Sequence, residues 1–221
     1  QGEDPELKMG KDIGTYYFEF NTTEKPFNNI NVRKALSMAL DRKTIVENIA
    51  QGGQVPAEGV VPLGLNDDAD KDFREANGNL ITEDVAKAKE LLAKGLEEEG
   101  MSVEDLNNCT LSYNTDEAHK KIAQAVQEMW KQNLGIEINL ENMEFQVLLD
   151  NRKAGNFQIS RAGWMGDYKD PMTMLDLFMT DNPQNDSKWS NKEFDELLKK
   201  TAASPDQKVR MDSMKAAEKI M

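Results

Sequence analysis

CTLSYNTDEAHKKIAQAVQEMWKQNLGIEINLENMEFQVLLDNRKAGNFQISRAG, residues 109–163, alternates two hydrophobic periods. Cys109-Thr110-Leu111-Ser112-Tyr113, Ile136-Glu137-Ile138-Asn139-Leu140 and residues 157–163 are short, β-rich runs, as strands are. Between them a helix is expected from Asp116 to about Leu134, with Ala118, Ile122, Ala125, Val126 and Met129 on one face, and another over 143–153. Strand, helix, strand, helix, strand in that order predicts an α/β domain with right-handed crossovers.

The flanks extend this pattern. Residues 15–21 form an aromatic strand, and residues 30–50 place Val32, Leu36, Ala39, Leu40, Ile45 and Ile49 on two short helices meeting near Asp41. Residues 54–81, with Pro56, Gly59, Pro62, Gly64 and an acidic patch, read as a long loop packed over the surface. Thr82 is expected to cap a helix whose inner face is Val85, Ala88, Leu92 and Leu96. Three further helices are expected over 171–180, 191–202 and 205–221. Asp170 caps the first of them, and Ser204 opens the last, with Pro205 at its first position and Gln207 at its third. No internal repeat or low-complexity linker occurs. Gln1-Gly2-Glu3-Asp4-Pro5 has neither an initiator Met nor the regions of a signal peptide, and Lys219-Ile220-Met221 ends a helix with no Gly or Pro. The chain is therefore expected to be excised from something longer at both ends.

Composition excludes several functions. Forty acids against 27 bases give a charge of -13, and no segment gathers Lys and Arg into a stripe, so nucleic acid is not an expected partner. The single cysteine, Cys109, excludes an intrachain disulfide and any CxxC site, and its place in a strand reads as a buried, inert thiol. The single histidine, His119, leaves no multi-histidine zinc site and one candidate base for a triad, and there is no HExxH, GxSxG or Walker A sequence. Its plain reading is a surface side chain in the first turn of a helix. Asp68-Ala69-Asp70-Lys71-Asp72 hints at a calcium loop, but Phe73 stands where that loop needs Gly and Asn79 where it needs Glu, so a solvated acidic loop is expected. Asn21-Thr22-Thr23 and Asn108-Cys109-Thr110 fit glycosylation sequons, a pattern too short to carry weight. No cofactor or metal is expected.

Arg161-Ala162-Gly163-Trp164-Met165-Gly166-Asp167-Tyr168-Lys169-Asp170-Pro171 carries the functional signal. It sets an arginine and an aspartate six residues apart, and Gly163 and Gly166 let another backbone approach between them. Opposite charges at the ends of bare backbone suit a zwitterion with a peptide spine better than a reaction centre. Taken singly the residues have plainer readings: Trp164 as core, Asp167 as a turn residue, and Arg161 as a strand cation in need of a partner.

The same run closely resembles the peptide-binding lobe of bacterial oligopeptide-binding proteins, the extracytoplasmic receptors of ABC peptide importers. Further matches are Tyr17-Phe18-Glu19-Phe20-Asn21 with Pro26-Phe27-Asn28, Val32-Arg33-Lys34-Ala35-Leu36 with Asp41-Arg42, Tyr113-Asn114-Thr115 with His119-Lys120-Lys121, and Glu193-Phe194-Asp195-Glu196-Leu197-Leu198. The resemblance covers nearly the whole chain. It implies one carboxy-proximal lobe, residues 1–221, of a two-lobed periplasmic-binding-protein-like receptor (class II, cluster C), built on a mixed β-sheet flanked by helices. It implies a non-enzymatic, monomeric solute-binding component in the periplasm or on the cell surface as a lipoprotein, whose partners are short peptides and a membrane permease.

The resemblance also implies residue roles. Asp167 would pair with the α-ammonium of a peptide. Arg161, Arg152 and His119 would meet its carboxy terminus or acidic side chains. Backbone at Gly163 and Met165 would pair with the guest as an added strand, with Trp164 between them. Phe145 stands where close relatives have a tryptophan, leaving an apolar wall. The alternatives are another solute in the same receptor class (a signalling peptide, a nickel complex, haem or a sugar) or a peptidase, for which the nucleophile and metal set are missing.

Overall fold

The computed structural model describes residues 12–221, so the reading of Gln1–Pro5 lies outside the described residues. Four strands, β1 (Gly14–Phe20), β2 (Thr110–Asn114), β3 (Asn139–Met143) and β4 (Ile159–Met165), form one sheet in the order β1-β4-β2-β3. β2 runs parallel to both β3 and β4, whereas β1 pairs antiparallel to β4 along its whole length, from Gly14↔Met165 to Phe20↔Ile159. The expected mixed α/β sheet is therefore present, with each strand one to three residues beyond its sequence bounds or shifted by that much. β3 moves furthest: Ile136 and Ile138 are buried as the alternation requires, but the ladder with β2 begins only at Asn139, opposite Thr110.

The helices are α1 (Ile30–Met38), α2 (Arg42–Thr44, running into a π-helical turn over Ile45–Ala50), α3 (Phe73–Asn77), α4 (Val85–Glu99) and α5 (Val103–Leu106). α6 (Glu117–Leu134) and α7 (Phe145–Ala154) are the crossovers between the parallel strands, and α8 (Met172–Leu175), α9 (Lys192–Ala203) and α10 (Gln207–Ile220) close the chain. Caps fix the starts: Asp41 accepts from the Thr44 N–H at 2.8 Å, and Asp116 accepts from Ala118 at 2.8 Å and His119 at 3.1 Å. Two expected caps move. Asp84, not Thr82, starts α4 by accepting from Lys87, and Asp206, not Ser204, starts α10 by accepting from Lys208. A carboxylate two residues on competes successfully for the free N–H groups of the first turn.

The sheet separates two cores. On one face Phe18, Phe20, Leu111, Tyr113 and Ile159 pack under α1, α4 and α6. The buried stripe of α6 is Ile122, Ala123, Val126, Trp130 and Leu134, rotated from the expected face: Trp130 replaces Met129 at its centre, while Ala118 is exposed. Trp130 reaches across and donates its indole N–H to Leu36 O at 2.8 Å. The second core gathers Val61, Leu65, Phe73, Met174, Leu175, Phe194, Leu198, Met211 and Met214 between α3 and α8–α10. Residues 54–81 thus pack over the surface as expected but contain α3, started by Asp72, which accepts from Arg74 N–H at 2.8 Å. Asp67 of the same acidic stretch accepts from the Ala69 and Lys71 N–H groups and pairs with Lys215 at 2.9 Å, so turn and ion-pair contacts hold that carboxylate. Asn21 is 1% exposed and donates to Gly155 O and Phe157 O, which makes it an internal tie between β1 and the approach to β4.

Candidate functional site

The site grows from β4. Its first residues are paired on both sides, but β2 meets β4 only at Leu111↔Ile159 and Ser112↔Ser160. Among the described residues no strand pairs with that side of β4 beyond the Ser112↔Ser160 bridge. Arg161 O accepts from Ser160 Oγ at 3.2 Å, so Gly163 and Met165 are left to present free N–H and C=O groups beside the carboxyl ends of two parallel strands. Such a splayed edge can accept an added strand.

Side-chain alternation distributes the run 161–167 about this edge. Arg161 and Gly163 share the face of Tyr16 and Phe18, since Tyr16 stands opposite Gly163 and Phe18 opposite Arg161. A Cβ at Gly163 would stand 3.7 Å from Arg161 Nη2, so glycine leaves the strand open beside the guanidinium. Trp164 points the other way, into the second core, with its indole N–H buried and without a partner. Met165 is exposed at the rim, as are Phe145, the first residue of α7, and Tyr168.

Arg161 is not neutralised. Its guanidinium carbon lies 5.0 Å from the Tyr16 ring centroid, Nη1 donates to Asn114 Oδ1 at 3.4 Å, and Nε is buried without an acceptor. Among the described residues it pairs with no carboxylate, whereas Arg42, Arg74, Arg152 and Arg210 each do. His119, in the first turn of α6, faces the same place, with Nδ1 3.4 Å from the Tyr16 hydroxyl. Burial, then the Arg161 charge, hold its imidazole below the usual range against the opposing pull of Asp116. Burial pushes Tyr16 up to about 12, so its hydroxyl keeps its proton.

The other end is acidic. Asp167 follows β4, its N–H donating to Thr173 Oγ1 at 3.0 Å, and its exposed carboxylate has no partner among the described residues. Asp176 behind it is raised by burial and then by the Asp167 charge. Asp170, by contrast, is spent: it accepts from the Met172 N–H as expected of a cap and pairs with Arg210 at 2.7 Å.

The structure thus gathers Arg161, His119, Gly163 and Met165 along one edge with Asp167 beyond it, and leaves Trp164 as partial core. Arg152 stands apart from this edge. It lies across the sheet, 11% exposed, bound to Glu19 and, at 3.1 Å, to Asp186, so a guest carboxylate would first have to displace one of these. Tyr16 and Asn114 were not singled out from sequence. The alternation of Tyr16 with Phe18 marks the shared face, but the register that puts it beside Arg161 is set 145 positions away.

The Glu19–Arg152–Asp186 cluster carries its own pH signature. Burial, against Arg152 and with Asp186, raises Glu19 from 4.5 to about 7. The folded chain then holds a proton that the unfolded chain has released between those values, so unfolding free energy falls as pH rises from about 4.5 to about 7. Glu19→Gln should remove a fall on the order of 2 kcal/mol, read as urea midpoints at about pH 5 and about pH 8.

The family "Bacterial extracellular solute-binding proteins, family 5 Middle" matches residues 1–186. The oligopeptide-binding protein OppA of Bacillus subtilis is 44% identical over 223 residues, covering 99% of this chain and 40% of that protein. Among solved structures, OppA of Haemophilus influenzae in complex with RPPGFSPFR gives a TM-score of 0.80 at 34% identity over 95% of this chain and 40% of its own. The peptide-binding protein of a peptide ABC transporter gives 0.85 at 35% identity over 94% of this chain and 93% of its own. The chain spans 40% of the length of the first of these relatives. With a family match over most of its length and relatives aligned over almost all of it, this chain belongs to family 5 of the bacterial extracellular solute-binding proteins.

Proposed function

We propose that this chain is one lobe of an extracytoplasmic receptor that binds short peptides and delivers them, chemically unchanged, to the permease of an ABC importer. The observation that carries the reading is the half-unpaired β4, with an uncompensated cation at its start and an uncompensated carboxylate just past its end. Strand pairing recognises the main chain of any sequence. Arg161 with His119 takes the carboxylate end of the guest, and Asp167 takes the ammonium end. Gly163 and Met165 supply backbone, Trp164 stiffens the strand from behind, and Phe145 gives side chains an apolar wall.

The similarity to oligopeptide-binding proteins supports peptides over the other solutes of the class, and so does the chemistry, because a neutral sugar needs neither terminal charge. An exposed ion pair is weak, so the second lobe is needed to enclose the guest and raise the value of both charges. The isolated chain should fold and bind trialanine more weakly than the receptor carrying both lobes, as titration calorimetry of the two forms would show. Equal affinities would remove the need for a second lobe. Asp167→Asn should weaken trialanine about tenfold while leaving its N-acetyl form unchanged. An equal loss for both peptides would sink the assignment of Asp167 to the amino terminus.

A further inference from the structure

We propose that Tyr16 is a positioning residue for the carboxylate end of the guest, holding the Arg161 guanidinium on its ring and fixing His119 through its hydroxyl so that Nε2–H is the free donor. This rests on the peptide-binding reading above. Three distances carry it: Arg161 lies 5.0 Å from the ring centroid, the hydroxyl lies 3.4 Å from His119 Nδ1, and the two rings are 5.6 Å apart. Phe18, edge-on at 5.8 Å, braces the ring from the core side.

Donor arithmetic sets the direction of the chain. The Arg161 guanidinium lies over the ring face and bonds Asn114, so the hydrogen-bond contact of the Tyr16 hydroxyl is His119 Nδ1. The phenolic proton is then free to donate to Nδ1 of a neutral imidazole, which leaves the proton of that ring on Nε2. The result is two donor groups, a guanidinium edge and an Nε2–H, oriented before a carboxylate arrives. Among the described residues the Tyr16 hydroxyl is the only hydrogen-bond partner of the His119 ring.

The lone histidine makes the test direct. In 15N-labelled 221-residue chain above neutral pH, His119 should show a protonated Nε2 and an Nδ1 resonance displaced toward that of a hydrogen-bonded acceptor. Tyr16→Phe, which keeps the ring, should return Nδ1 to the position of a free imine nitrogen, and should weaken trialanine about tenfold while changing its C-terminal amide little. Tyr16→Leu, which also removes the ring beneath Arg161, should weaken trialanine further. A proton on Nδ1 in the unmodified chain, an Nδ1 resonance unmoved in Tyr16→Phe, or equal weakening of acid and amide would each overturn the proposal. Should no peptide bind at all, the peptide reading fails while the nitrogen spectrum still decides the role of Tyr16.

Discussion

Glu218→Leu is expected to destabilise the chain by about 3–5 kcal/mol, measured as a lowered urea midpoint. Arg74 and Glu218 are joined at 2.6 Å with side chains only 2% and 1% exposed. Glu218 also accepts from Val61 N–H at 2.9 Å and from Asn77 Nδ2 at 2.7 Å, while Arg74 Nη2 donates to Gly78 O at 2.7 Å. One carboxylate near the end of α10 therefore ties down both sides of the 54–81 segment. Gly59 lies flat on the pair, for a Cβ there would overlap Arg74. Removing Glu218 strands a buried guanidinium and two further donors, and that uncompensated charge is the source of the loss. The double variant Arg74→Met with Glu218→Leu should recover most of it, because an apolar pair of similar size removes the stranded charge. A single-variant loss below about 1 kcal/mol would mean that the pair is not what fastens the segment.

Periodicity carried the fold where elements are long or bounded by strong signals. α6 and α4 have enough turns to show a stripe, and β1 has three adjacent aromatics. It did not carry α3 or α5, five and four residues long, because one turn of helix has no period to read. The start of α10 falls later than expected because Ser204 and Asp206 are both capping residues, and it is the Asp206 carboxylate that accepts from the Lys208 and Val209 N–H groups. Strand order could not be read at all. That β1 lies antiparallel beside β4, and that β2 leaves β4 after Ser160, depend on contacts between segments far apart in the chain.

The candidate site was partly legible for a different reason. Arg161, Gly163 and Asp167 lie within one short run, so their spacing on a strand follows from the backbone rise alone. Their surroundings do not. Arg152 and Arg161 look alike in sequence, yet one is closed in by Glu19 and Asp186 and the other is left open over Tyr16. What separates them is placement: Arg161 is on β4, where the register of β1 sets Tyr16 and Phe18 on its face and turns Glu19 to the other, and Arg152 reaches that other face from α7.

Arg161→Met should weaken trialanine by about 3 kcal/mol, roughly a hundredfold, while its C-terminal amide changes by less than about threefold. Arg161 already has its orienting contacts, the Tyr16 ring and Asn114, but no counter-charge among the described residues. A carboxylate arriving at the β4 edge supplies that missing partner and an acceptor for the buried Nε. Arg161→Lys should fall between the two, since an ammonium keeps the charge but loses the planar fork and its stacking on the ring. Stability should move the opposite way from binding. The unpaired guanidinium costs the empty fold part of its desolvation, so Arg161→Met should leave the urea midpoint unchanged or raise it, in contrast to the loss at Glu218. Calorimetry with acid and amide, set beside the two unfolding curves, checks both halves. Equal weakening of both peptides, or a fall in stability like that of Glu218→Leu, would make Arg161 a structural cation and leave the carboxylate end of the guest without a receptor.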